Sequence, residues 1–288
     1  MKARAEWYNT AVSEFINQKN KPIPNLAAPR RSRIEILGVQ VDDLSLDAAA
    51  GQVFDWVKQR RLDATLPPRL VITLNPEYVM ATRRSPSFRE IVNLADLVTA
   101  DGAGIILAGK ILKTPFRGRV TGVALCEKLF ALAAQPDGPR LFLLGAQPGV
   151  ADEAAAKLRQ QYPGLKIVGT WAGQAGPEGD SEAVERIQQA EAEIILVAYG
   201  MLKQDWWSVR NLNRSGAAVA LGVGGVLDYK AGRVSLAPPW LRQWGLEWAY
   251  RLYKEPWRWR RQLALPQFAF LVLLERLRRV LPNRHRSS

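Results

Sequence analysis

The chain reads as an α/β protein: a Rossmann-like, largely parallel sheet with helices on both faces, followed by a basic, aromatic, helical C-terminal appendage. Three observations predict this. Short, nearly continuous apolar runs alternate with segments of helical periodicity, the pattern of strands buried on both faces and joined by crossover helices. The 288 residues, 48% hydrophobic and 23% charged, leave ample chain for such a core. After Pro238-Pro239 the pattern changes to tryptophan and arginine, which places a boundary near residue 235.

Residues 1–33 read as a flexible leader, polar and rich in prolines and basic residues at its end. The first strand is expected over Ile34 to Val39. Leu46 to Gln59 carries apolar residues at helical spacing, with Ser45 placed to cap it. Leu70 to Leu74 is a β-branched run read as a buried strand, and Asn75-Pro76 ends it. Helices are expected over Glu77 to Arg84 and Ser87 to Leu94, then a strand over Leu97 to Ala100. Farther on, helices at Thr121 to Ala134, Gly149 to Tyr162 and Ser181 to Ala190 alternate with strands. Those strands are Arg140 to Gly145, Lys166 to Thr170, Glu193 to Ala198 and Ala217 to Val223. The core therefore spans 34–235 and the appendage 236–288.

Charge and composition narrow the function classes. The formal charge is +13, which implies an anionic partner: nucleic acid, an acidic membrane leaflet or a phosphorylated substrate. From Arg233 onward, 12 Lys+Arg face 3 Asp+Glu, so most of the excess sits in the appendage. Tryptophan and arginine together suit a surface where water, phosphate and apolar chains meet. The apolar run Phe268 to Leu274 is too short to cross a bilayer. No secretory signal is visible, so a cytoplasmic protein, peripheral on the inner face of the plasma membrane, is expected. With one cysteine, Cys126, and one histidine, His285, catalytic triads and multi-histidine or cysteine metal sites are excluded. Carboxylates, amides, hydroxyls and arginines must carry any chemistry.

In open α/β sheets ligands bind beyond the C-terminal strand ends, where Thr73, Asn75 and Asp101 fall. Asp101 reads either as a general base for a sugar hydroxyl or as the cap of a helix starting near Ala103. Gly145 to Gly149 joins strand to helix and matches neither the dinucleotide nor the Walker pattern, so it reads as a plain βα turn. In Gly200 to Trp207, Lys203 and Gln204 are placed to meet a diphosphate and a sugar or uracil edge, while Trp206 and Trp207 read as packing. Gly222 to Asp228 reads as a glycine-rich strand exit. Arg117 and Arg119, before Thr121-Gly122, are either a phosphate clamp or solvated loop residues.

Taken in order, these motifs resemble the WecG/TagA/CpsF family of bacterial glycosyltransferases. The matching elements are Thr73-Leu74-Asn75-Pro76-Glu77, Ala100-Asp101-Gly102-Ala103-Gly104, Arg119-Val120-Thr121-Gly122 and Leu143-Leu144-Gly145. They continue with Tyr162-Pro163-Gly164-Leu165, Gly200 to Asp205, Gly222-Val223-Gly224-Gly225 and Ala231-Gly232-Arg233. The last are Ala237-Pro238-Pro239-Trp240 and Gly245-Leu246-Glu247-Trp248 through Glu255-Pro256. Each is short, but the ordered set covers about residues 34 to 262.

The resemblance implies transfer of an N-acetylmannosamine-type sugar from a UDP donor to a polyprenyl-diphosphate-linked acceptor sugar, in cell-surface polysaccharide synthesis. It makes Asp101 the catalytic base, lines the site with Thr73 and Asn75, and sets Gln204 against the donor. Arg119 would hold the diphosphate, and Arg251, Arg258 and Arg261 would close over the lipid diphosphate. No Asp-X-Asp metal motif appears, so neither a metal nor a cofactor is carried over. The chain departs from the family pattern at Leu202 and Asp205, where proline and glutamate are usual, and at Ala124, where an aspartate is usual. These departures bear on which sugar is transferred. The competing reading is a non-catalytic, basic nucleic-acid- or membrane-binding protein on the same fold. Against nucleic acid as the partner, the basic residues cluster beside an apolar run rather than along a polar groove. A homo-oligomer is compatible with the sequence. Removing 240–288 is expected to weaken binding to anionic liposomes and leave the α/β core folded.

Overall fold

The computed structural model describes residues 32–280 together with Ser13, Phe15 and Asn17. The rest of the expected leader and residues 281–288 lie outside the described residues.

The chain enters through a hairpin, β1 (Arg33–Ile36) and β2 (Val39–Asp42), paired antiparallel. One strand was expected from Ile34 to Val39, and the structure breaks it at Leu37-Gly38. Both residues have positive φ, 53° and 85°, the backbone that matches a two-residue hairpin turn to strand twist. Leucine rarely adopts that conformation, so Gly38 was the only turn signal in this stretch of sequence.

Next come α1 (Leu46–Leu62), β3 (Arg69–Leu74), α2 (Pro76–Arg84), α3 (Pro86–Leu94), β4 (Leu97–Ala100) and α4 (Ala103–Ile111). They are followed by α5 (Gly122–Ala133), β5 (Leu141–Gly145), α6 (Val150–Gln161), β6 (Ile167–Trp171) and α7 (Asp180–Gln189). The core closes with β7 (Ile194–Ala198), α8 (Lys203–Asn211), β8 (Val219–Gly222) and α9 (Val226–Ala231). Ser45 caps α1 as expected, accepting the Ala48 N–H at 3.2 Å.

Six strands form one sheet in the order β4-β3-β8-β7-β5-β6, every pair parallel. The apolar runs alternate between two cores. Leu70, Ile72 and Leu74 of β3, Phe142 and Leu144 of β5, and Ile195 and Val197 of β7 face one cluster. Val71, Leu141, Leu143, Ile194 and Leu196 face the other. A strand alternates its side chains, so a run apolar at every position is one that buries both faces. The Rossmann-like reading is the observed architecture.

Strand order also fixes where a ligand can sit. Adjacent strands β3 and β8 send their following helices to opposite faces. Tyr78 and Val79 of α2 join the first cluster, while Val226 and Leu227 of α9 join the second. A crevice opens at the C-terminal ends of strands where the chain diverges in this way.

The appendage folds as α10 (Pro239–Gln243), α11 (Glu247–Lys254), a 3-10 turn (Pro256–Arg258), α12 (Trp259–Gln262) and α13 (Ala264–Val280). Among the described residues no helix is long and apolar enough to cross a membrane. The α13 helix packs on α2 and α4, and its Phe268 and Val272 are only 4% and 1% exposed within the first core cluster. The appendage therefore shares a core with the sheet, which alters the expected result of removing it.

Candidate active site

A cleft of about 920 Å³ lies over the ends of β3, β4 and β8, roofed by α11, α12 and α13. Thr73, Asn75, Asp101, Arg119, Arg251 and Arg261 all line it.

Asp101 follows β4, and its backbone N–H donates to the Leu74 carbonyl at 2.8 Å. Its carboxylate does not cap α4, since the N-cap there is Gly102 with no side-chain bond. Instead Asp101 Oδ2 accepts the Gly122 N–H at 3.0 Å, at the first turn of α5. A Cβ at 122 would crowd Thr73 Oγ1 at 3.3 Å while meeting Asp101 Oδ2 at an ordinary 3.6 Å. Burial in the cleft is the largest influence on this carboxyl and carries its pKa up to about 7. The Gly122 bond pulls it down, Glu247 pushes it up, and Arg119 and Arg251 pull it down. A carboxylate poised near neutrality, with some solvent access on the cleft side, can accept a proton from a bound hydroxyl.

The cations are placed differently from one another. Arg251 projects from α11 with its guanidinium 5.5 Å from the Tyr229 ring centre. Its Nε is buried without a hydrogen-bond partner among the described residues, so it has donor capacity to spare for an anion. Arg119 donates to the Arg242 carbonyl at 3.3 Å, tying the loop before α5 to the end of α10. Arg261 pairs with Glu77 Oε2 through Nη2 at 2.7 Å and Nε at 3.0 Å. Arg258 ends the 3-10 turn, and its side chain lies outside the described residues.

Three expected residues serve the scaffold as well. Asn75 Oδ1 caps α2 by accepting the Tyr78 N–H at 3.0 Å. Thr73 Oγ1 lies 3.5 Å from the Gly222 carbonyl, joining β3 to β8. Gln204, expected to face a donor, also lines the cleft, with its amide held at both ends: Nε2 donates to Tyr78 Oη at 2.9 Å and Oε1 accepts the Gly224 N–H at 3.0 Å. Lys203 is exposed and stands outside the cleft lining. Arg117 is also outside it, 3.3 Å from Asp43 on the surface. Trp207 is fully buried, as the packing reading of the tryptophan pair expects.

The sequence model of the glycosyl transferase WecG/TagA/CpsF family matches residues 34–281. The chain belongs to this family. It is 28% identical to an N-acetylglucosaminyldiphosphoundecaprenol N-acetyl-beta-D-mannosaminyltransferase of Bacillus subtilis (strain 168), over 77% of this chain and 85% of that one. The enzyme of the same name from Bacillus spizizenii is 30% identical over 70% of this chain and 78% of its own. That of Staphylococcus aureus (strain MW2) is 29% identical over 84% of this chain and 92% of its own. The chain is thus a transferase of the glycosyltransferase class.

Within this WecG/TagA/CpsF member, sequence reasoning gave Tyr78 and Glu247 no part in the site and singled out Asp205 only as a departure from the family pattern. Glu247 begins α11 and lines the cleft, where its charge bears on Asp101. Asp205 Oδ2 accepts the Leu202 N–H and the Tyr78 hydroxyl, both at 3.0 Å. Tyr78 and Asp205 are 127 positions apart, and no local pattern announces such a bond.

Proposed function

We propose that this protein is an inverting glycosyltransferase that moves an N-acetylmannosamine-type sugar from a UDP donor to a polyprenyl-diphosphate-linked acceptor sugar, with Asp101 as base. One observation carries the reading: the Asp101 carboxyl, its pKa brought up to about 7, lines the cleft together with Arg119 and Arg251. The relatives' names supply the sugar and the acceptor, N-acetylmannosamine and N-acetylglucosaminyl-diphosphoundecaprenol.

In this mechanism the acceptor hydroxyl attacks the anomeric carbon from the face opposite the leaving group. The new C–O bond forms as the bond to the diphosphate breaks. Asp101 takes the hydroxyl proton, and UDP departs with the bonding electron pair. Arg119 and Arg251 offset the charge gathering on the diphosphate. Thr73 and Asn75 shape the floor, and Arg258 and Arg261 lie in the segment that closes toward the lipid diphosphate.

A screen of UDP-sugars against a polyprenyl-diphosphate-GlcNAc analogue, following UDP release and product mass, tests this directly. Turnover with a UDP-N-acetylhexosamine is expected, and no turnover with any UDP-sugar would remove the proposal. Because the base must be ionised, kcat/KM is expected to rise with pH through an apparent pKa near 7. A flat profile across neutrality would exclude Asp101 as the base.

The appendage points to how a lipid-linked acceptor is met. Trp240, Trp244, Trp257, Trp259 and Phe270 are exposed on its helices, beside its arginines. Apolar rings in a cationic surface fit the headgroup region of an anionic leaflet. Flotation with anionic vesicles, weakened by salt, is the expected result. A DNA gel shift with no flotation would favour the nucleic-acid reading instead.

A further inference from the structure

The buried chain that links Asp205, Tyr78, Gln204 and Gly224 connects three strand ends. Asn75 holds the start of α2 on β3, Leu202 to Asp205 follow β7, and Gly224 follows β8. Tyr78, Gln204 and Asp205 are each 3% exposed or less. Each link permits one direction only. The Gly224 N–H can only donate, so Gln204 must turn Oε1 toward it and Nε2 away. Nε2 then donates to the Tyr78 oxygen, and the Tyr78 hydroxyl must give its proton to an acceptor. Asp205 is that acceptor, fixed in turn by the Leu202 N–H. The packing is equally specific. A Cβ at Gly222 would lie 2.5 Å from Gln204 Nε2, so the strand end and the amide fit only without a side chain there.

We infer that Tyr78 and Asp205 are positioning residues that fix, through the Gln204 amide, the glycine turn 222–225 in the cleft wall, and so set the affinity for a nucleoside-diphosphate sugar. This rests on the reading of the cleft as a nucleotide-sugar site. Val223, Gly224 and Gly225 line that cleft, and the two glycines can present only backbone to it, which a ligand can approach closely. Neither Tyr78 nor Asp205 needs to touch the substrate. With the carboxylate in place the amide cannot flip. Asparagine at 205 would keep an oxygen for the Leu202 N–H and the Tyr78 hydroxyl, which share Oδ2, so the substitution that breaks the chain is one that removes the acceptor, as alanine does.

The test compares the full-length protein with Tyr78→Phe, which is close to isosteric, Asp205→Ala, which removes the acceptor, and the double variant. Three quantities are read: the Kd for UDP, donor KM against kcat, and hydrogen exchange at the Gly224 amide. Each single variant is expected to raise Kd and donor KM about tenfold, with kcat within about threefold, and to speed Gly224 exchange. Both substitutions cut one chain, so the double variant is expected to be no worse than either single one. Unchanged Gly224 exchange in both single variants overturns the inference, as do additive losses in the double variant or a fall in kcat at constant KM. Gly224 exchange needs no turnover. If the wild type binds no UDP while both variants loosen Gly224, the positioning chain stands and the nucleotide-sugar reading falls.

Discussion

Asp101→Asn is expected to lower kcat by about a thousandfold, within the range a positioned general base contributes. The amide keeps an oxygen for the Gly122 N–H and has the volume of the carboxyl, so the cleft retains its shape. Stability is expected to move the other way. The folded-state pKa of Asp101, about 7, lies above its ordinary value of 3.8, so the folded protein holds this proton more tightly than the unfolded chain. The associated stability is present below pH 4 and is lost as pH rises through 7. Above neutrality the native enzyme keeps a desolvated charge that asparagine lacks. At pH 8 the variant is therefore expected to melt no lower than the wild type. Turnover and thermal melting on the same preparation check both halves. Near-native turnover sinks the base assignment, and a large loss of melting temperature makes Asp101 a structural residue.

Ending the chain at Leu263 is expected to cost most of the fold's stability margin along with the activity. It removes Phe268 and Val272, both nearly fully buried against α2 and α4. Truncating one buried phenylalanine to alanine costs about 3–5 kcal/mol, against a total stability of about 5–15 kcal/mol. The deletion also bares the apolar faces these residues covered. Phe268→Ala alone is expected to reproduce a large part of the loss in a denaturation curve, while exposed Phe270→Ala leaves the midpoint near the wild-type value. Equal midpoints for Phe268→Ala and the wild type would show the appendage to be separable after all.

The sheet was legible because a strand buried on both faces must be apolar at nearly every position, as in Leu70 to Leu74. Asp101 was legible for a related reason: a lone acidic residue after such a run sits where ligands meet a parallel sheet. Other features depend on distance in the chain. The packing of α13 was hidden because Phe268 and Val272 look the same in sequence whether they face lipid or a neighbouring helix. Gln204 and Lys203 are adjacent, yet successive positions in the first turn of α8 point to different faces, which buries one and exposes the other. The pairing of Arg261 with Glu77 spans 184 positions and depends on how the roof settles.

That pairing bears on selectivity. Without a ligand the mouth of the cleft is not a bare cationic bowl, because Glu77 already occupies Arg261 as an internal counter-anion. A group that takes those two Arg261 donors displaces a carboxylate held through one oxygen by two hydrogen bonds. A singly charged anion merely trades one such partner for another and gains little, whereas a diphosphate brings more charge and more acceptors than the group it replaces. Under the proposed role of Arg261, this exchange would favour a diphosphate over singly charged anions.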